Sequence, residues 1–266
     1  MSVSLGLVLH AAEPAPFPPQ DFGGKRTDFA FAGGQAFVVA PTTPSADGSK
    51  PWIWYAPTIA RHPGAYLGWL MRELLAQGFY VVGFNVGETF ANPASRAQFA
   101  DFYQHARKTY GLDAKVCLLA QSRGGLNHYL FAAAHPEWIA CIAGIYPVAD
   151  LRSYPGLKRA APAYGLSEDE LAAQLPRHNP VDQLESIARA DIPILHLHGD
   201  ADKTVPIEFN SQVIYDRYRA LGGRMRLIVA HGGGHEETPV YFESGQLLRF
   251  LLAKGENLPS AEGVIP

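Results

Sequence analysis

The chain has 266 residues, with 22 basic and 25 acidic side chains and a formal net charge of −3. A balance of this kind supplies no general field for nucleic acid or an anionic membrane, and no basic run with interleaved aromatics stands out. Hydrophobic residues make up 47% and charged residues 18%, the composition of a soluble protein with a substantial core, and the length suits one large α/β domain.

The two cysteines, Cys117 and Cys141, each lie inside an apolar run. They read as buried free thiols, not a disulfide framework, and neither has zinc-ligand spacing. Residues 2–12 are apolar but lack a basic leader, so they read as a signal remnant or as an N-terminal strand or arm. No run approaches the roughly 18–20 apolar residues needed to span a bilayer. The expected location is cytoplasmic, with a secreted or periplasmic one left open.

Residues 13–24 are rich in proline and glycine and form an irregular lead-in. Strands at 27–32 and 35–40 flank Gly33-Gly34, a two-residue hairpin signal. Trp52-Ile53-Trp54-Tyr55-Ala56 is strongly strand-like. Helical spacing at 65–77 brings Leu67, Leu70, Met71, Leu74 and Leu75 to one side, with Gly78 as a stop. The apolar run 79–84 predicts a strand buried on both faces, and 93–110 a helix. A strand at 115–119, a helix at 126–134 and a strand at 139–146 follow. This alternation favours a doubly wound, mostly parallel sheet.

Between 150 and 189 the regularity lapses. Four prolines and short helical pieces predict a lid-like insertion after the sixth strand, with a surface excursion as the alternative. Within it, Ser167 and Glu170 have capping-box spacing, and a helix is expected near 181–190. A strand at 192–197, a helix at 208–221, a strand at 225–230 and a final helix at 239–252 complete the chain. Residues 1–26 are thus read as an arm and 27–266 as a single domain.

Three stretches carry chemistry. Ala120-Gln121-Ser122-Arg123-Gly124-Gly125 places a serine among small residues where a strand turns into a helix, the pattern of a nucleophile elbow. His198-Gly199-Asp200-Ala201-Asp202 follows a buried strand and offers two carboxylates. His231-Gly232-Gly233-Gly234-His235 follows the last strand, with glycines that let an imidazole reach across the sheet ends. All three would gather at one sheet edge, where open α/β sheets bind ligands.

These motifs, in the order serine, acid, histidine, resemble those of the α/β-hydrolases over about residues 27–252. The stretch from His198 to Pro206 and the Gly-Gly-His ending are similar to the branch of dienelactone hydrolases, acyl-peptide hydrolases and prolyl oligopeptidases. That resemblance implies Ser122 as nucleophile, Asp202 in preference to Asp200 as acid, His235 in preference to His231 as base, and no cofactor. It also implies an oxyanion hole from the N–H of Arg123 and a residue after the 52–56 strand. Pro57 has no N–H, so Thr58 is assigned, with Ala56 as the lesser candidate.

Around this core the roles stay open. The Arg123 guanidinium is expected to pair with Glu88 or Asp150, or to meet a substrate carboxylate. Glu88, Tyr146 and Tyr154 are assigned to the substrate cleft, with a solvated loop and core packing as the plain alternatives. His196 and His198 are read as packing residues and His231 as a structural one. The expected reaction is hydrolysis of small or medium acyl esters, including carbohydrate acetyl esters. Two alternatives stand beside it: a peptidase or acyl-aminoacyl hydrolase, and a non-catalytic protein binding a small ligand in the same pocket.

Overall fold

The computed structural model describes residues 21–258 and the backbone of 263–265; the apolar segment at 2–12 lies outside them. The strands are β1 (Lys25–Phe31), β2 (Gly34–Ala40), β3 (Trp52–Ala56), β4 (Tyr80–Asn85), β5 (Val116–Gln121), β6 (Ile139–Ile145), β7 (Ile194–Gly199), β8 (Met225–Ala230) and β9 (Gly263–Ile265). They form one sheet in the order β1-β2-β4-β3-β5-β6-β7-β8-β9. The β1–β2 and β2–β4 pairs are antiparallel and every other pair is parallel. The short terminal strand β9 was not signalled by its sequence.

The alternation of side chains along β5 explains why its apolar run is continuous. Cys117 and Leu119 face α1 (Gly68–Ala76) and α9 (Gly245–Leu252), whereas Val116 and Leu118 face α2 (Pro93–Tyr110) and α3 (Gly124–Ala134). Both layers are built from large, fully buried side chains: Tyr55, Tyr146 and Tyr241 on one side, and Trp54, Phe102, Tyr103 and Phe131 on the other. Each such side chain contributes roughly 1.5–3 kcal/mol relative to exposure. Phe22, in the lead-in, also packs into the α1 side of the core.

Two predicted helices are broken in the fold. The helix expected at 208–221 is a 3-10 turn at Ile207–Phe209 followed by α7 (Ser211–Ala220). Buried Asn210 interrupts it, because its side-chain oxygen accepts from the Ala149 N–H at 2.9 Å and its amide donates to the Pro206 carbonyl at 2.9 Å. The last helix divides into α8 (Pro239–Phe242) and α9, and the hydroxyl of Ser244 caps the start of α9.

The insertion after β6 contains α4 (Leu157–Tyr164), α5 (Glu168–His178), a 3-10 turn at Pro180–Asp182 and α6 (Leu184–Arg189). The capping box of Ser167 and Glu170 is formed at the start of α5. Leu151, Ala160, Leu171 and Leu175 pack against Phe90, Leu126 and Val205 in a third apolar cluster. Hydrogen bonds tie the insertion to the β4–α2 segment: Tyr164 donates to the Phe90 carbonyl at 2.7 Å and Asn92 donates to the Ala163 carbonyl at 2.7 Å.

The sheet order sets the position of the site. From central β3 the chain goes outward to β4 on one side, then crosses to β5 on the other. The segments leaving β3, β4 and β5 therefore diverge around a crevice at their C-terminal ends.

Candidate active site

Ser122 sits between β5 and α3 with φ of 49°. A side chain other than glycine is strained there, and the surroundings hold it in place. Its N–H donates to the Ile145 carbonyl at 3.0 Å, and its own carbonyl accepts from Gly125 N–H at 2.9 Å and Val148 N–H at 2.8 Å. The turn is thereby fastened to β6 and to the segment after it.

The Ser122 hydroxyl lies 2.9 Å from His235 Nε2, and His235 Nδ1 lies 2.7 Å from Asp202 Oδ2. An ionised carboxylate only accepts, so Nδ1 carries the hydrogen and Nε2 is free to accept from the serine O–H. Asp202 Oδ1 accepts two backbone N–H groups, from Thr204 at 2.9 Å and Val205 at 2.8 Å. Burial works to raise the Asp202 carboxyl, but hydrogen bonds from His198, His235 and Val205 outweigh it and hold the group well below the carboxylate range. The side chain of Asp202 is inaccessible, while that of His235 is 19% exposed.

Asp200 has a different environment. Its Oδ2 meets His231 Nδ1 at 2.7 Å and its Oδ1 accepts the Gly232 N–H at 2.7 Å, both at the surface. It holds the loop that carries His235 and does not touch the imidazole of His235. The loop is further tied by the Ala201 N–H, which donates to the Gly233 carbonyl at 3.0 Å, and by the Tyr241 hydroxyl, which donates to the Gly234 carbonyl at 3.0 Å.

Beside the serine is a small recess between the segments that follow β3 and β4 and the start of α3. Thr58, Glu88, Arg123 and Ala56 all line it, together with Phe84, Phe90, Leu126 and Asn127. Thr58 is buried and its hydroxyl donates to the Phe84 carbonyl. Among the described residues, neither the Thr58 N–H nor the Arg123 N–H has a hydrogen-bond acceptor. The Arg123 guanidinium pairs with Glu88 and lies 5.7 Å from the centre of the Tyr154 ring, whereas Asp150 is taken by Arg152.

Two assignments to the cleft find other surroundings. Tyr146 is 1% exposed and is not part of the recess wall. Its ring packs 4.2 Å from that of His235, centre to centre, and its hydroxyl accepts from Gln121 and donates to the Glu236 carbonyl. Tyr154 is also outside the wall and meets Arg123 instead. Sequence spacing places both residues after β6 but cannot report on which side of the imidazole they pack.

A polar group under the elbow escaped sequence reading altogether. Buried Gln121 accepts from the Tyr55 hydroxyl at 2.6 Å, and Tyr66 joins it at 3.3 Å while also bonding His62. Burial, followed by the charges of Arg123 and Arg61, lowers His62 to about 4. Tyrosines two strands and a helix apart leave no local motif. His198 was likewise read as packing, yet its Nε2 lies 3.4 Å from Asp202 Oδ2.

Among the described residues, no helix is long and apolar enough to cross a membrane. None of their histidine, cysteine, aspartate and glutamate side chains form a group of three or more arranged to hold a metal ion.

A serine at a strand-to-helix turn, followed along a mostly parallel sheet by an acid after β7 and a histidine after β8, is the plan of the α/β-hydrolase fold, and the chain has that fold. Residues 93–252 match the model of the prolyl oligopeptidase family, and the chain belongs to that family. Three solved structures share its fold. An acylaminoacyl peptidase from Pyrococcus horikoshii is 12% identical with a TM-score of 0.64, over 90% of this chain and 43% of that one. An S-formylglutathione hydrolase from Agrobacterium tumefaciens is 18% identical with a TM-score of 0.66, over 90% and 98%. Est1E from Butyrivibrio proteoclasticus is 17% identical with a TM-score of 0.63, over 87% and 99%. The chain thus spans less than half the length of the peptidase but nearly all of the other two. No curated protein sequence matches it.

Proposed function

We propose that the protein hydrolyses carboxylic esters through an acyl-enzyme on Ser122, with His235 as general base and Asp202 as the acid that orients it. The observation that carries this reading is the continuous chain from Ser122 Oγ through His235 to Asp202, at 2.9 and 2.7 Å. A serine hydroxyl is a weak nucleophile near neutral pH and needs such a base. His235 Nε2 takes the hydroxyl proton as Oγ attacks the ester carbonyl, and Asp202 stabilises the imidazolium that forms. The proton then passes to the departing alcohol. Water repeats the sequence on the acyl group, with His235 again as base, and Ser122 is released.

The oxyanion of each tetrahedral intermediate is assigned to the N–H groups of Arg123 and Thr58, which line the recess beside Ser122. One such donor is worth on the order of 10²–10³ in turnover. The acyl groups proposed are small or medium, acetyl esters of carbohydrates among them. The reaction as written uses no cofactor.

The second reading, cleavage of a peptide or acylated amino acid, is favoured by the family match and by the likeness to a peptidase. A panel of p-nitrophenyl esters and amino-acid amides, run beside a fluorophosphonate probe, separates the readings. Ester turnover and labelling, both lost in Ser122→Ala, is the expected result. Faster cleavage of amides than of esters would favour the peptidase. Absence of both labelling and turnover would leave a small-molecule binding protein.

A further inference from the structure

The imidazoles of His196 and His198 stand outside the chain from Ser122 to Asp202, yet both are wholly buried. The two-residue period of β7 puts them on the same strand face as Ile194, toward the layer of α3 and α7. Buried polar groups need partners, and here the partners form one line. The Tyr129 hydroxyl on α3 lies 2.6 Å from His196 Nε2, and His196 Nδ1 lies 2.9 Å from Ser211 Oγ on α7. The same oxygen lies 2.7 Å from His198 Nδ1. At the far end, His198 Nε2 is 2.7 Å from the Val205 carbonyl and 3.4 Å from Asp202 Oδ2. Gly144 on β6 leaves the space this line occupies, since a Cβ there would lie 2.7 Å from His196 Nε2.

Donors and acceptors decide the direction. The Val205 carbonyl can only accept, so His198 Nε2 carries a hydrogen. A neutral His198 then accepts at Nδ1, which makes the Ser211 hydroxyl its donor. Ser211 Oγ in turn accepts from His196 Nδ1–H, and His196 Nε2 accepts from the Tyr129 O–H. Every group is satisfied without a net charge. Burial, reinforced by His198, lowers His196 to about 3, consistent with its neutral place in the line. The reversed order of donors needs a cationic His198, a second imidazolium buried against Asp202, and burying that charge is costly.

We infer that Tyr129, His196 and Ser211 lock His198 as a neutral Nε2–H donor to the Val205 carbonyl beside Asp202, making His198 a positioning residue for the acid. This inference rests on the assignment of Asp202 and His235 given above. With His198 in place, Oδ2 of Asp202 receives the His235 N–H with His198 Nε2 3.4 Å away, Oδ1 receives the N–H groups of Thr204 and Val205, and the carbonyl of Val205 is held by His198. Because His198 adds no charge, the negative charge of Asp202 remains available to the imidazolium at His235. If the line is broken and His198 disengages, that charge concentrates on His235 and raises its basicity.

The other ionisable groups nearby are engaged elsewhere or exposed. The Tyr146 and Tyr241 hydroxyls donate to the carbonyls of Glu236 and Gly234, and Asp200 faces His231. Lys203, Glu236 and Glu237 lie on the accessible side of the loops. None of them bridges Asp202 to Ser211, so the variants below leave their placement unchanged.

The test combines ¹⁵N NMR of histidine-labelled full-length protein with the pH profile of kcat/KM on p-nitrophenyl acetate. In the wild type, His198 should show a protonated Nε2 and an unprotonated Nδ1 throughout the pH range of the activity profile. In Ser211→Ala the acid limb of the profile should move up by about half a unit to one unit, and Ser211→Thr should restore it. Tyr129→Phe, which removes only the remote end, should give a smaller upward shift. A His198 that is cationic or protonated at Nδ1 would overturn the inference, as would an unmoved acid limb in a Ser211→Ala protein with wild-type circular dichroism. Retention of turnover by Ser122→Ala would instead count against the catalytic assignment, while the NMR result on His198 still decides the lock.

Discussion

Gly124 and Ala56 meet backbone to backbone: a Cβ on Gly124 would lie 2.6 Å from the Ala56 carbonyl oxygen. The first turn of α3 therefore rests directly on the end of β3, and this contact brings the segments of Arg123 and Thr58 to the same recess. Gly124→Ala forces the two apart. It should lower stability by about 1–3 kcal/mol, as overpacking does, and reduce kcat more than it raises KM. Thermal melts and steady-state ester kinetics measure the two effects.

The neighbouring carboxylates of the acid loop should behave differently. Asp202→Asn should cost about 10³–10⁴ in kcat, because an amide cannot hold the His235 tautomer or stabilise its cation. Asp200→Asn should keep activity within about tenfold, since a structural bond to a surface loop is the smaller loss. Equal losses in two folded variants would place the acid wrongly.

Arg123 and Glu88 form a half-exposed pair at the recess wall, with side chains 30% and 36% accessible. Its contribution to stability should therefore be under about 1 kcal/mol. Its effect on selection should be larger. Glu88→Gln releases the guanidinium, so KM should fall for esters with a carboxylate on the acyl chain and stay level for neutral ones. Matched succinyl and butyryl esters make the comparison, and an unchanged ratio of their KM values would remove the guanidinium from substrate recognition.

Two buried histidines set an acid limit on folding. Burial lowers His128 to about 3 and is the chief cause that does the same for His196. A free histidine titrates near 6.5, so the unfolded chain binds the extra protons first. Stability from these groups is full above about pH 6.5 and is lost as pH falls toward 3, with each histidine adding about one proton to unfolding. Among the described residues, neither ring nitrogen of His128 has a hydrogen-bond partner. His128→Leu should thus flatten the acid side of a chemical-denaturation series by about one proton.

The features legible in the sequence were those written locally. A continuous apolar run announced β5, a capping box announced α5, and three motifs following strands brought Ser122, Asp202 and His235 to one edge. What escaped depends on residues distant along the chain. Asn210 breaks a helix because its side chain serves Ala149, 61 positions away. Tyr146 and Tyr154 have the composition of a binding wall, and only packing shows one against His235 and the other against Arg123. The histidines of β7 looked like core because they are core. His196 reaches His198, beside Asp202, through Ser211, and Tyr129 closes the remote end, both partners coming from other elements.

The hydrogen bonds from Tyr164 and Asn92 give the insertion a further meaning. They join it to the same segment that supplies Glu88 and Phe90 to the recess, so the insertion and that wall act as one brace. Grafting a different insertion from another hydrolase would displace the wall along with it. Changes of substrate size are therefore better sought at Phe84 and Asn127, which line the recess outside the insertion's apolar cluster.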